Sequence, residues 1–293
     1  MAGGRENKLN EAETMPAARG LTGAGGGATV APSERESPAM ADGGFASLKG
    51  VVSDAEWKTR VDLAALYRLV ALHGWDDMIF THISARVPGP ERHFLINPYG
   101  FFFEEMTASL LVKVDLDGTV VGETPHFINP AGFTIHSAVH GAREDAHFVM
   151  HLHTDAGVGV AAQADGLLPI GQNACLIQDQ VAYHGYEGLA LNLDERERLV
   201  ADLGGKRLMI LRNHGTLAVG ATAAETWAGM WFLERACAQQ VAALSAGRAN
   251  VLMAPEAAQA ENRGAGQGLA FVAGLAWPGA LRQLDRRSPG YDA

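Results

Sequence analysis

The chain has little of what would mark a secreted, membrane-embedded or nucleic-acid-binding protein. Its 293 residues include two cysteines, Cys175 and Cys237, far apart and without ligand spacing. That pattern excludes a disulfide framework and points to a reducing, cytoplasmic compartment. No apolar run approaches the roughly 20 residues of a membrane-crossing helix, and no continuous apolar segment of the signal-peptide kind opens the chain. The formal net charge is −10. The basic stretch RQLDRR at 282–287 is too short to offset it, so no nucleic-acid partner is expected. The first 46 residues lack a periodic apolar pattern. AGGGA at 24–28 and PSERESP at 32–38 read as a disordered tail. Met40, opening MADGG, reads as a more natural start, with the preceding residues a long leader or an over-extended start.

What is present is a core-forming sequence. Hydrophobic residues make up 47% and charged residues 19%, a balance that suits a sizeable globular core. The expected organisation is the tail over 1–46, one domain over 47–246, and a mobile linker with a C-terminal arm over 247–293. Ser53 and Glu56 form a capping-box pattern for a helix to about His73, ended by Gly74. Residues 77–87 (DMIFTHISARV) read as a strand. HFLINPYGFFF at 93–103 reads as a second strand with a turn at 97–100. LLVKVDLDGTVVG reads as a hairpin turning at Asp117-Gly118. Asn129-Pro130 starts a helix to about Ala142. Thr154-Asp155 opens another, over 155–164. Asp194 to Glu197 and Thr222 to Glu225 are further capping signatures, for helices ending near Leu203 and Ser245. LMILRN and TLAVG read as strands turning at Gly215. Strands and helices interleave, but several strands meet through tight turns. The expectation is one α/β domain with a largely antiparallel or mixed sheet and helices on its faces.

Histidine is the residue type most suggestive of chemistry. His151 and His153 lie two apart at the end of an apolar, strand-like run, so both project from one face. Two neutral imidazoles held on a rigid strand form half of a metal site, although a lone H-x-H pair is more often part of an ordinary core. His214 in Asn213-His214-Gly215 supplies a third candidate, with Gly215 allowing a sharp turn. Three neutral nitrogens with an open fourth position describe a catalytic rather than a structural zinc centre. Iron(II), cobalt and manganese would suit the same donors. His136 and His140, at i and i+4, share a helix face but lack the glutamate of the metalloprotease motif; packing histidines are the plainer reading. His82, His93, His126 and His147 have no partner spacing and read as structural. DQVAYHGYEG at 179–188 reads as a polar, aromatic loop whose Tyr183, His184 and Tyr186 are acid–base or substrate-contact candidates, with an ordinary turn the equal alternative.

Taken together, GWDDMIFTHISARV, HFLINPYGFFFEEMTASLLVKVDLDG, NPAGFTIHSAVHGAREDAHFVMHLHTDAG, QVAYHGYEG and LRNHGTLAVG resemble the class II aldolase/adducin superfamily over about residues 50–246. The resemblance implies a three-layer α/β/α domain around a mainly antiparallel sheet. It implies a homotetramer with active sites at subunit interfaces. It also implies a divalent metal, Zn2+ first among the candidates, held by His151, His153 and His214. Tyr99 and Gly100 fall in a turn that lines the substrate pocket of relatives. Asn129 and Gly132 fall at the start of the helix facing the metal, where helix amides can hold a carboxylate; for Asn129 a plain N-cap is an equal reading.

The departures from the resemblance shape the expected function. Gly132 falls where sugar-phosphate aldolases of the superfamily carry their catalytic acid. Pro130 and Ala131 fall near the serines that hold phosphate there. The NPAGFTIH text resembles the adducin-like branch instead. The expected function is a metal-dependent carbon–carbon lyase, aldolase-type or decarboxylase, acting on a small unphosphorylated oxo or hydroxy acid or carbonyl compound. A decarboxylase or other carbon–carbon lyase fits the missing acid better than a standard sugar-phosphate aldolase does, because decarboxylation needs no hydroxyl deprotonation. The alternatives are a non-haem iron oxygenase using the same three histidines and an adducin-like interaction module without catalysis.

Overall fold

In a computed structural model the described residues are 47–188, 192–266 and 268–293. The expected tail over 1–46 lies outside them. The described residues fall in one unit, Phe45–Ala293.

The first helix shows how directly some local signals act. Ser53 accepts a hydrogen bond from the Glu56 amide and starts α1 (Asp54–Leu72), satisfying one of the free amides at a helix N-terminus. Gly74, at φ +64°, takes the chain out of the helix. Thr154 and Thr222 cap α3 (Asp155–Ala161) and α6 (Ala223–Leu244) in the same way, through the Gly157 and Glu225 amides. The other helices among the described residues are α2 (Pro130–Ala142), α4 (Gln172–Ile177), α5 (Glu195–Leu203), α7 (Glu256–Gly266) and α8 (Leu269–Arg287). Asp194 precedes α5 as expected, but its backbone is already helical and its side chain makes no cap bond. Helix α7 occupies part of the stretch that composition marks as a linker.

Seven strands form one mixed sheet among the described residues: β1 (His82–Arg86), β2 (Phe94–Ile96), β3 (Val112–Val114), β4 (Phe148–Leu152), β5 (Val181–His184), β6 (Leu208–Leu211) and β7 (Gly215–Gly220). Their order is β3-β2-β1-β4-β7-β6-β5. Every pairing is antiparallel except β5 with β6. The strand side chains alternate between two apolar layers. Ile83, Ala85, Phe148, Met150 and Leu152 face α1 and α6 in the larger cluster. Val149, Met209, Leu217 and Val219 face Ile135 and Val139 of α2 and Leu199 and Leu203 of α5. The result is the expected α/β/α arrangement around a mainly antiparallel sheet.

Two sequence readings are corrected here. Residues 77–81 are not strand: Met78 and Thr81 have φ of +50° and +65°, which no extended strand accommodates. Residues 181–184 are strand, not loop, so Tyr183 and His184 point to opposite faces.

A single phenol ties the helical layer to two loops. The Tyr67 hydroxyl accepts from the amides of Ile83 (2.8 Å) and Asn97 (3.1 Å) and offers its proton to the Ile83 carbonyl or Asn97 Oδ1 (2.8 Å). The ring is fully buried, which pushes its pKa up. It thereby fixes the start of β1 relative to the turn after β2. Leaving such buried polar groups unpartnered costs on the order of 1–3 kcal/mol each.

Candidate metal centre

The end of β4 and the β6–β7 hairpin bring three imidazoles together. His151 is the penultimate residue of β4, and His153 follows the strand end. His214 sits in the hairpin between Leu211 and Gly215, a paired couple. The turn itself is made by Asn213, whose φ is +54°; asparagine tolerates this left-handed conformation better than most residues. Gly215 is needed for a different reason from the one the sequence suggests. Its φ is not positive, but a Cβ there would lie 2.3 Å from the Leu152 carbonyl oxygen and 3.0 Å from the His153 ring. Only glycine lets the hairpin lie this close to β4.

One ligand nitrogen from each of His151, His153 and His214 lies within 4.8 Å of the others. The hydrogen bonds fix which nitrogens face inward. His151 Nδ1 contacts the Thr216 carbonyl at 3.0 Å, and a carbonyl only accepts, so Nδ1 carries the proton. His153 Nδ1 contacts Asp77 Oδ2 at 3.2 Å and donates likewise. In the neutral rings that bind a metal both Nε2 atoms are therefore lone pairs, and they face each other at 2.9 Å. Two acceptors at that distance repel unless a cation lies between them. This is the arrangement in which a partner on Nδ1 leaves Nε2 basic for a metal. The donor set fits a divalent ion of the zinc kind and does not by itself select among such ions.

The electrostatics agree. Burial first, then the neighbouring imidazoles, hold His151 well below the usual histidine range. The same causes lower His214 to about 4. Both rings are thus neutral donors near pH 7.

The three histidines open into a cavity of about 600 Å³. Tyr99, Asn129 and Tyr186 of the sequence-derived candidates line it. The Tyr186 ring lies 6.4 Å from that of His214. Gly100 makes the turn beside Tyr99 at φ +99° but is not in the wall. Tyr183 and His184 are also outside it. The Tyr183 hydroxyl accepts from the Leu167 amide at 3.0 Å, and its ring lies under the Arg212 guanidinium. His184 is buried among carboxylates, 2.7 Å from Asp202 and 3.4 Å from Glu195.

Three ionisable wall residues escape the sequence reading. Asp77 and Asp155 bring carboxylates to the cavity. His82, read as structural, is paired across the sheet with His151 and stacks on it, with ring centroids 5.3 Å apart. Its ring also occupies the space beside Gly132: a Cβ at 132 would meet His82 Cδ2 at 2.4 Å. The i, i+2 and i, i+4 spacings that reveal a shared face within one element carry no information about a partner 69 residues away (151 − 82 = 69).

Comparison with known proteins places the chain. The family described as Class II Aldolase and Adducin N-terminal domain matches residues 61–241. The chain belongs to the class II aldolase and adducin family. A Caulobacter vibrioides protein with an aldolase class 2 name is 72% identical over 255 residues, covering 86% of this chain and 99% of that protein. The crystal structure of an aldolase II superfamily protein from Pseudomonas syringae is 50% identical and superposes with a TM-score of 0.79, covering 85% of this chain and all of that one. An L-fuculose 1-phosphate aldolase from Glaciozyma antarctica PI12 is 28% identical with a TM-score of 0.70, covering 83% and 95% of the two chains. Together these support an aldolase-type, divalent-metal-dependent protein.

Proposed function

We propose that this protein is a divalent-metal-dependent carbon–carbon lyase acting on a small, unphosphorylated oxo or hydroxy acid. The observation that carries the reading is the pair of bare Nε2 atoms on His151 and His153, 2.9 Å apart, with His214 closing the set. A Zn2+ or similar ion at this set would supply Lewis-acid polarisation of a substrate oxygen, the electron sink that carbon–carbon cleavage requires.

The chain's own residues do the rest. Asp77 and the Thr216 carbonyl keep His153 and His151 in the tautomer that presents Nε2 inward. Asn129, just before α2, and Tyr99 offer polar contacts to the substrate from the cavity wall. Tyr186, 57% exposed at the mouth, is the proton donor this reading assigns to the carbanion side of the cleaved bond. Tyr183 and His184 take no part in it. Gly132 favours decarboxylation over aldol cleavage only where the cavity lacks an acid. Asp77 and Asp155 remove that basis, and aldol-type cleavage becomes the leading form.

The reading extends to a homotetramer in the cytoplasm, in keeping with the superfamily and with two buried, unpaired cysteines. Elemental analysis of protein purified without added metal, paired with an NMR screen of oxo and hydroxy acids for aldehyde or carbon dioxide release, tests it. Retained zinc with cleavage of one acid class is the expected result. Iron with oxygen consumption would replace it with the oxygenase reading, and no retained metal would overturn it.

A further inference from the structure

Behind the metal centre runs a second chain of polar groups, sealed in the α2-facing layer of the sheet. His82 Nδ1 lies 3.0 Å from His136 Nε2. His136 Nδ1 is hydrogen-bonded to Ser84 Oγ. Ser84 Oγ lies 2.7 Å from His140 Nε2, and His140 Nδ1 lies 3.1 Å from the Ala146 carbonyl oxygen. All four side chains are buried, none more than 4% exposed. Burial keeps the His136 and His140 rings neutral, with the Arg86 guanidinium adding to the effect at His140.

The direction of every bond follows from the last one. The Ala146 carbonyl can only accept, so His140 carries its proton on Nδ1 and Nε2 is a lone pair. Ser84 therefore donates to His140 and, its one proton used, accepts from His136 Nδ1. His136 Nε2 is then a lone pair and takes the proton on His82 Nδ1. What remains is His82 Nε2, a bare acceptor on the ring edge away from His136. Among the described residues it makes no hydrogen bond. His82 lines the cavity, and its ring packs so closely against Gly132 that a Cβ there would lie 2.8 Å from Nε2.

We infer that His82 is a specificity-determining residue, which selects ligands that place a hydroxyl donor against its Nε2 beside the His151 metal ligand. The inference rests on the lyase reading only for what the cavity holds. A 2-hydroxy acid satisfies the lone pair. An ether at the same place leaves it unpaired, and an acceptor-only group such as the dianionic phosphate of a monoester opposes it, in agreement with an unphosphorylated substrate.

Two measurements test it. Long-range 15N–1H spectra of the wild-type chain read each tautomer directly: His82, His136 and His140 should all carry the proton on Nδ1. A proton on His82 Nε2 overturns the proposal. Calorimetric titration of the zinc-loaded protein with glycolate and with methoxyacetate should show a preference for glycolate of about 10-fold or more, with sulfate, which offers acceptors only, failing to compete. His82→Phe keeps the ring that stacks on His151 and should collapse that preference at least about fivefold with zinc content unchanged. An unchanged preference overturns the proposal. Where His82→Phe does not fold, His82→Asn serves in its place, and the wild-type spectrum needs no variant. Should the protein bind no metal, the lyase reading falls, while the tautomer of His82 still supports or overturns this one.

Discussion

Two groups of three histidines lie on the same side of one sheet, and they differ in a single count. In the sealed chain from His82 to Ala146, each donor is matched by an acceptor except for one nitrogen at its end. Among His151, His153 and His214, the Thr216 carbonyl and Asp77 use the protons of two rings and leave lone pairs converging. Surplus lone pairs make a cation site, whereas balanced ones make a polar core. Burial does not distinguish the two, since His136 and His151 are both essentially inaccessible. Residue type does not either. What separates them is where the hydrogen-bond partners lie.

That contrast can be broken in order of expected effect. His214→Ala removes one of three donors, so metal content should fall to background in elemental analysis while the circular dichroism spectrum is retained. Retention of tightly bound metal would erase the distinction. Asp77→Asn should weaken metal binding by about 10- to 100-fold in chelator competition, the usual cost of losing a carboxylate behind a histidine ligand. The Asp77 side chain is 43% exposed, so its unfolding free energy should stay within about 0.5 kcal/mol of wild type. Ser84→Ala should do the reverse. It strands two buried ring nitrogens and should cost about 1–3 kcal/mol in denaturant unfolding with metal content intact.

A further effect is a slope in pH. Burial and Arg86 lower the folded-state pKa of His140 to about 3, from 6.5. As pH falls through 6.5 the unfolded chain takes up this proton and the folded one does not, so stability present above 6.5 is lost towards pH 3. His140→Gln should make the loss of stability between pH 6 and 4 shallower by about 1.4 kcal/mol per pH unit. An unchanged slope would mean that the ring is charged in the folded state and the bond directions reversed.

The parts legible in the sequence were those governed by near neighbours. Ser53 with Glu56 and Thr222 with Glu225 announced their helices because a cap is satisfied three residues away. His151 and His153 announced a shared face through the strand period, and His214 through its place beside a hairpin glycine. His82 was misread because its meaning depends on the β1–β4 register, which sets it opposite His151. Asp77 was hidden by a segment that looks extended in composition but is bent at Met78 and Thr81. Tyr183 and His184 lie outside the cavity wall for the converse reason: a stretch that reads as a loop is a strand, and alternation carries the two away from each other.

Gly215 has a consequence for how such a centre could be lost. A single methyl group there would act as a wedge between the hairpin and β4, pressing on the Leu152 carbonyl and the His153 ring and prising His214 from His151 without removing any ligand. One methyl at a position outside the ligand set would thus be enough to separate the scaffold from its chemistry, a short mutational route by which members of a metalloenzyme family can become binding proteins.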